Sequence, residues 1–182
     1  AARAGRAGGQ AGDQAWLKLF DGGSLEGWRA SEHTGTFTVQ DGAIVAHGAR
    51  SHLFYTGPVE DANFTDFELK VDVMTEPGSN GGIYFHARYQ DEDWPRRGFE
   101  VQVNNSYIVD PRKTGSLYGI QDVRTATAKD REWFTEHIVV RGNHVTVFVD
   151  GKKVVDWTAT DRELRGGTFA LQGHDPGSVV RY

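Results

Sequence analysis

Residues 98–105, Gly-Phe-Glu-Val-Gln-Val-Asn-Asn, carry the densest set of groups able to hold and act on a polyol. Strict alternation places Glu100, Gln102 and Asn104 on one face of a strand and Phe99, Val101 and Val103 on the other. A half-exposed strand ordinarily shows Thr, Ser or Lys to water, whereas a row of carboxylate and carboxamide groups suits sugar hydroxyls. The plain alternative is a solvent-facing row, and two further strands weigh against it. Gln172 and His174 share a face in Leu171-Gln172-Gly173-His174, and Tyr84, His86 and Arg88 share one in Ile83-Tyr84-Phe85-His86-Ala87-Arg88. Placed in one sheet, the three strands pool Glu100, Gln102, Asn104, Gln172, His174, His86 and Arg88.

The elements that must position these groups are strands. Asp41-Gly42 and Asp150-Gly151 each separate two apolar-alternating runs and predict hairpins, 37–40 with 43–46 and 144–149 with 152–157. Residues 64–74 alternate as a long strand with Asp66, Glu68, Lys70 and Asp72 on its wet side. Residues 16–20 and 133–141 read as further strands, while 126–132 or 161–164 could hold a helical turn. About ten strands, short turns and no βαβ alternation predict one all-β domain, an antiparallel two-sheet β-sandwich closed as in jelly rolls. Residues 1–14, rich in Ala and Gly, read as a flexible tail ahead of a domain spanning 15–182.

Size and composition agree and exclude much else. A chain of 182 residues with 38% hydrophobic residues can bury one core without staples. It has no cysteine, so disulfides, zinc-thiolate sites and thiol nucleophiles are excluded. A net charge of −5, with Pro95-Arg96-Arg97 and Pro111-Arg112-Lys113 as the small basic clusters, argues against a nucleic-acid partner. No run is long and apolar enough to span a membrane.

Leu19-Phe20-Asp21-Gly22, Leu25-Glu26-Gly27-Trp28, Asn80-Gly81-Gly82-Ile83, Gly98-Phe99-Glu100-Val101-Gln102-Val103, Thr114-Gly115-Ser116-Leu117-Tyr118-Gly119, Glu132-Trp133 and Leu171-Gln172-x-His174 occur in this order along the chain. At these residues it resembles the 3-keto-disaccharide hydrolase domain family. The resemblance runs from about Trp16 to the end. It implies a concanavalin-A-like jelly roll, action on 3-keto sugars, a separate oxidoreductase that makes the ketone, and export to a periplasmic or extracellular location in bacteria; the Ala/Gly-rich tail suits a segment that follows a cleaved signal or a lipid anchor. Three departures from the pattern stand out. Gly82 region residues Asn80-Gly81-Gly82-Ile83-Tyr84-Phe85-His86 lack the usual hydroxyl and carry imidazole for guanidinium, Phe134 stands where Asn is common, and the final strand after Val180-Arg181-Tyr182 is expected to be truncated.

A 3-keto group acidifies the hydrogen on sugar C2, so one base, one enolate stabiliser and one acid suffice to expel the C1 substituent before water adds back. His174 or Glu100 supplies the base or acid, Gln102, Gln172 and Asn104 hold hydroxyls, and His86 with Arg88 stabilises the enolate. Tyr84, Tyr118, Trp94 and Trp133 are candidates for stacking on sugar rings, whereas Trp16, Trp28 and Trp157 are expected in the core. No cofactor is required; a divalent metal held by His86, Glu100 and His174 is left open, without any short ligand spacing to support it. His33, His47, His52, His137 and His144 are assigned no chemistry. The alternatives are a non-catalytic carbohydrate-binding module using the same amides and aromatics, and a glucanase, which needs a second carboxylate from Asp91, Asp93 or Asp110 about 5–5.5 Å from the first.

Overall fold

The computed structural model describes residues 3–6, 16–160 and 166–182, the backbone alone for 3–6. Its strands are β1 (Arg3–Arg6), β2 (Leu17–Lys18), β3 (Trp28–Ala30), β4 (Phe37–Gln40), β5 (Ala43–Ala46), β6 (Ser51–Tyr55), β7 (Phe67–Thr75), β8 (Gly81–Ala87), β9 (Phe99–Val103), β10 (Phe134–Arg141), β11 (His144–Val149), β12 (Lys152–Thr158), β13 (Thr168–Gly173) and β14 (Val180–Arg181). Short 3-10 segments at Thr34–Thr36 and Val59–Ala62 are the only helical elements among the described residues. The helical turn expected at 126–132 does not form, and its alternative at 161–164 lies outside the described residues.

The molecule is the antiparallel two-sheet sandwich that the sequence predicts. One sheet has five strands in the order β3-β6-β13-β8-β9; the other has nine, running β12-β11-β10-β7-β14-β5-β4 with β1 and β2 joined beside β7. Both Asp-Gly hairpins form, with Asp41 and Gly42 at φ 51° and 77° and Asp150 and Gly151 at 48° and 76°. Two successive residues with positive φ give the turn twist that matches paired strands.

The core lies between the sheets. Phe67, Leu69, Val71 and Val73 of β7 and Ile138 and Val140 of β10 pack into one cluster with Leu53, Ile83, Phe85, Val101, Val103 and Leu171 of the smaller sheet. Outside the larger sheet, charges pair across strands: Glu68 accepts from Arg141 at 2.7 Å and meets His137 at 3.0 Å, and Thr135 donates to Asp72 at 2.7 Å. That face is an ordinary wet surface. Trp16 lies there, against Lys70 and His137, rather than in the core.

Both ends of the chain are built into the larger sheet. Within the expected flexible tail, Arg3–Arg6 pairs with Phe67–Lys70 of β7 as β1. At the other end, β14 inserts between β7 and β5, and Tyr182 continues the pairing through backbone bonds to Ile44 while its side chain is buried.

Candidate active site

The outer face of the smaller sheet is unlike that of the larger one: its polar groups are buried. In the β8–β9 register Tyr84 lies opposite Glu100 and Gly82 opposite Gln102, and in β13 Gln172 lies opposite His52 of β6 while Ala170 faces Tyr84. Glu100, Gln102, Tyr84 and Gln172 therefore converge from three adjacent strands. Gly82 is essential to this arrangement, because a Cβ there would come within 2.3 Å of Glu100 Oε1. The carboxyl group lies across bare backbone.

Both Glu100 oxygens are held. Tyr84 Oη donates to Oε2 at 2.8 Å and Gln172 Nε2 donates to Oε1 at 2.9 Å. These bonds favour the anion, but loss of water outweighs them and pushes the Glu100 carboxyl up to about 7. Burial, then the Glu100 charge, raises the Tyr84 phenol well above its ordinary value, so it remains a donor.

His174, just past the end of β13, belongs to the same cavity. Its Nδ1–H donates to Asp175 Oδ2 at 2.7 Å, and Asp175 is fixed in turn by Ser178 Oγ–H at 2.9 Å and the Gly177 N–H at 2.8 Å. The carboxylate sets the tautomer and leaves Nε2 as the nitrogen available to a substrate. The imidazole sits between Trp94 and Tyr107, with ring centroids 5.3 and 5.7 Å away.

The loop after β9 closes the site by pairing along that strand's edge. Gln102 N–H donates to Ser116 O at 3.0 Å, Gly115 N–H to Gln102 O at 2.9 Å and Tyr118 N–H to Glu100 O at 2.9 Å. Tyr118 is thereby carried beside Glu100, with Arg112 over its ring at 4.4 Å. Asp110 also enters the cavity, its carboxylate 3.4 Å from Arg112. The resulting cavity, about 280 Å³, is lined by Asn80, Tyr84, Trp94, Glu100, Gln102, Asp110, Tyr118, Gln172 and His174.

Three buried atoms on this lining have no hydrogen-bond partner among the described residues: Asn80 Oδ1, Gln102 Nε2 and Gln172 Oε1. Buried polar atoms are ordinarily satisfied, so these are the groups a polyhydroxylated ligand would complete. Two are acceptors for hydroxyl groups and one is a donor for an oxygen.

Of the residues singled out from sequence, Glu100, Gln102, Gln172, His174, Tyr84, Tyr118 and Trp94 come together. His86, Arg88 and Asn104 do not. His86 adopts a left-handed backbone at φ 53°, and the β13–β8 register slips at this point, so a bulge reverses the alternation. Its ring lies inward among Phe67, Phe85 and Phe99, with Nε2–H donating to Thr65 O at 2.9 Å, while Ala87 takes the outer face beside Tyr84. Arg88 falls in a different cavity. Asn104, beyond the end of β9, spends its side chain on its own loop: Nδ2 donates to Asp110 O and Arg112 O, and Oδ1 accepts from Tyr107 N–H. Trp133 is exposed and lines no part of the site.

The suggested His86–Glu100–His174 metal set is not assembled, since His86 lies on the opposite face. Among the described residues no group of three or more His, Asp or Glu side chains converges to hold a metal. Sequence reasoning also missed Asn80 and His52. His52 is fully buried on β6, edge-on to Tyr84 and Trp94 at 5.4 and 5.6 Å, and burial pushes it down to about 4, so it is neutral. Every residue of Ser51-His-Leu-Phe-Tyr55 is buried, so no alternation marked the strand.

With this geometry in place, the matching family is informative. The model of the 3-keto-alpha-glucoside-1,2-lyase-like domain matches residues 15–182. The chain belongs to this family. Solved structures share its galectin-like or concanavalin-A-like sandwich. A candidate glycosyl hydrolase from Parabacteroides distasonis ATCC 8503 is 20% identical with a TM-score of 0.75, over 90% of this chain and 88% of that one. The carbohydrate-binding module CBM66 from Bacillus subtilis is 13% identical with a TM-score of 0.63, over 85% and 90%. A non-specific endo-beta-1,3(4)-glucanase of family GH16 is 14% identical with a TM-score of 0.57, over 87% and 83%. At these identities the structural likeness concerns the fold; no curated protein sequence matches the chain. Family membership makes this domain a carbohydrate-directed one.

Proposed function

We propose that the domain cleaves 3-keto-glycosides by elimination and hydration. The observation that carries this reading is the pairing, in one sugar-sized cavity, of a buried carboxyl pushed up to about 7 with an imidazole whose tautomer is fixed by a carboxylate. Two proton-transfer groups held in unlike environments take opposite roles.

His174 Nε2 removes the C2 proton, and the electron pair forms the C2–C3 enolate, whose oxygen receives the N–H of Gln102. The ketone re-forms as the C1–O bond breaks, and protonated Glu100 delivers its proton to the departing oxygen. Water then adds to C1 of the enone. Glu100, now a carboxylate, takes the proton from that water while His174 returns one to C2, restoring both groups. Asn80 Oδ1 and Gln172 Oε1 receive sugar hydroxyls, and Trp94 and Tyr118 flank the ring. A separate oxidoreductase must supply the ketone, since nothing in this chemistry oxidises C3.

The second reading is a binding module, favoured by the aromatic rim and the amide floor, which serve recognition as well as reaction. A two-carboxylate glucanase mechanism is disfavoured because Asp110, the second acid in the cavity, is held by Arg112. The deciding measurement compares aglycone release from a chromogenic 3-keto-glucoside and from the unoxidised glucoside, with and without chelator, for wild type, Glu100→Gln and His174→Ala. Release from the keto substrate alone, lost in both variants, is expected. Binding of the keto-glucoside without release would replace the enzyme by the module.

A further inference from the structure

Arg88 and the Pro95-Arg96-Arg97 run are sequence features that the site above does not absorb. Arg88 and Arg97 line a second cavity of about 340 Å³ with Thr56, Asn63, Tyr89 and Thr168, floored by the side-chain-free backbone of Gly166 and Gly167. It lies on the same sheet. Ala87 and Thr168, which border it, are register partners on β8 and β13, three residues from Tyr84 and four from Gln172. At roughly 3.3 Å per residue that sets the cavities about 10–13 Å apart along the strands. The outer-face cluster of Phe54, Tyr84, Ala87 and Ala170, packed under Tyr89, lies on the same strands.

Charge distinguishes this cavity. Arg29, Arg50, Arg112, Arg131, Arg141 and Arg181 each face an Asp or Glu within 4 Å, as expected in a chain of net charge −5. Arg88 and Arg97 face none, and no Asp or Glu lines the cavity among the described residues. Arg97 is held in place by a bond from Nη2 to Gly166 O at 2.9 Å, which leaves the rest of its fork for a ligand. Asn63 and Thr56 add neutral polar groups of the kind that hold hydroxyls. We propose that this second cavity binds an anionic group, a carboxylate or sulfate, through the Arg88 and Arg97 guanidinium groups. Paired guanidinium forks match the planar or tetrahedral oxygens of such anions and discriminate against neutral ligands.

The inference does not depend on the proposed reaction, and its test reads binding alone. Amide NMR titrations of the whole protein with glucuronate, glucose and inorganic sulfate would be run on wild type, Arg88→Gln/Arg97→Gln and Glu100→Gln. Glucuronate is expected to shift amides of Arg97, Gly166 and Gly167, with affinity falling about tenfold or more in the double Arg variant, weakening with added salt and unchanged in Glu100→Gln. Glucuronate binding tighter than sulfate assigns the anion to a saccharide; the reverse assigns it to a free oxyanion. The proposal is overturned if glucose shifts these amides as strongly as glucuronate, or if the double variant binds both anions as wild type does. Both arginines are exposed and face no Asp or Glu among the described residues, so an unchanged melting temperature is expected to confirm that the variant is folded.

Discussion

A carboxyl group buried between a phenol and an amide titrates near neutrality, well above an exposed carboxylate. Glu100 at about 7 is half protonated near neutrality, and its proposed role needs the proton. The rate on a 3-keto-glucoside is therefore expected to fall as pH rises through about 7, and Glu100→Gln to remove that limb while lowering kcat roughly 10²–10⁴-fold. A pH–rate profile of both proteins tests this; an unchanged alkaline limb in the variant would assign the titration elsewhere. Gly82→Ala probes geometry rather than acidity. Its Cβ would overlap Glu100 Oε1, so displacement of the carboxyl should cost roughly 100-fold in kcat/KM while the circular dichroism spectrum is unchanged.

At the scale of strands, one left-handed residue decides which groups reach the site. The bulge at His86 turns a row that alternation assigns to one face into Tyr84 outside, His86 inside and Ala87 outside. Gly98 and Gly167 make room for it, since a Cβ on either would meet the backbone of residues 85–87 at 2.5–2.6 Å. His86→Asn is expected to keep the left-handed backbone, which Asn tolerates, and to leave kcat/KM unchanged. It loses the bond to Thr65 O, so chemical denaturation should show about 1–2 kcal/mol less stability. Loss of activity without loss of stability would return His86 to the site. Edge pairing acts in the opposite sense from the bulge: by continuing the β9 ladder, residues 115–118 bring a loop tyrosine to Glu100 with the precision of a strand.

For the whole molecule, the two buried carboxyls set the pH dependence of stability. Burial raises both Glu100 and Glu136, the latter well above its ordinary value, with the Gly115 N–H at 3.1 Å its one hydrogen-bond partner among the described residues. The folded state holds protons that the unfolded chain releases above 4.5, so stability falls as pH rises from there through about 7. The Glu100 contribution reaches on the order of 3 kcal/mol once it is complete. Asp175 is lowered despite its burial, by bonds from His174 and Ser178, and Glu32 likewise against burial, by its own backbone N–H and then Arg50; their stabilisation is lost as pH falls below the ordinary carboxylate values. Thermal melting is thus expected to peak on the mildly acidic side of neutrality. Glu136→Gln keeps an acceptor for Gly115 and should raise the melting temperature above about pH 7 by several degrees, with little change near pH 4.5.

The sequence by itself determined the sandwich, both Asp-Gly hairpins, the inward row of β7 and the shared faces of Glu100 with Gln102 and of Gln172 with His174. Each follows from period-two alternation or a turn dipeptide, properties of contiguous residues. Only the tertiary structure decided the rest. His86 turned inward because a backbone dihedral, which alternation does not encode, reversed the face; Asn104 was claimed by its loop; β6 gave no alternation because loops bury its outer face as the core buries its inner one. The elevated carboxyl of Glu100 belongs to the same class. Its cause is the exclusion of water by three strands and two loops remote in sequence, and no local pattern of side chains carries that information.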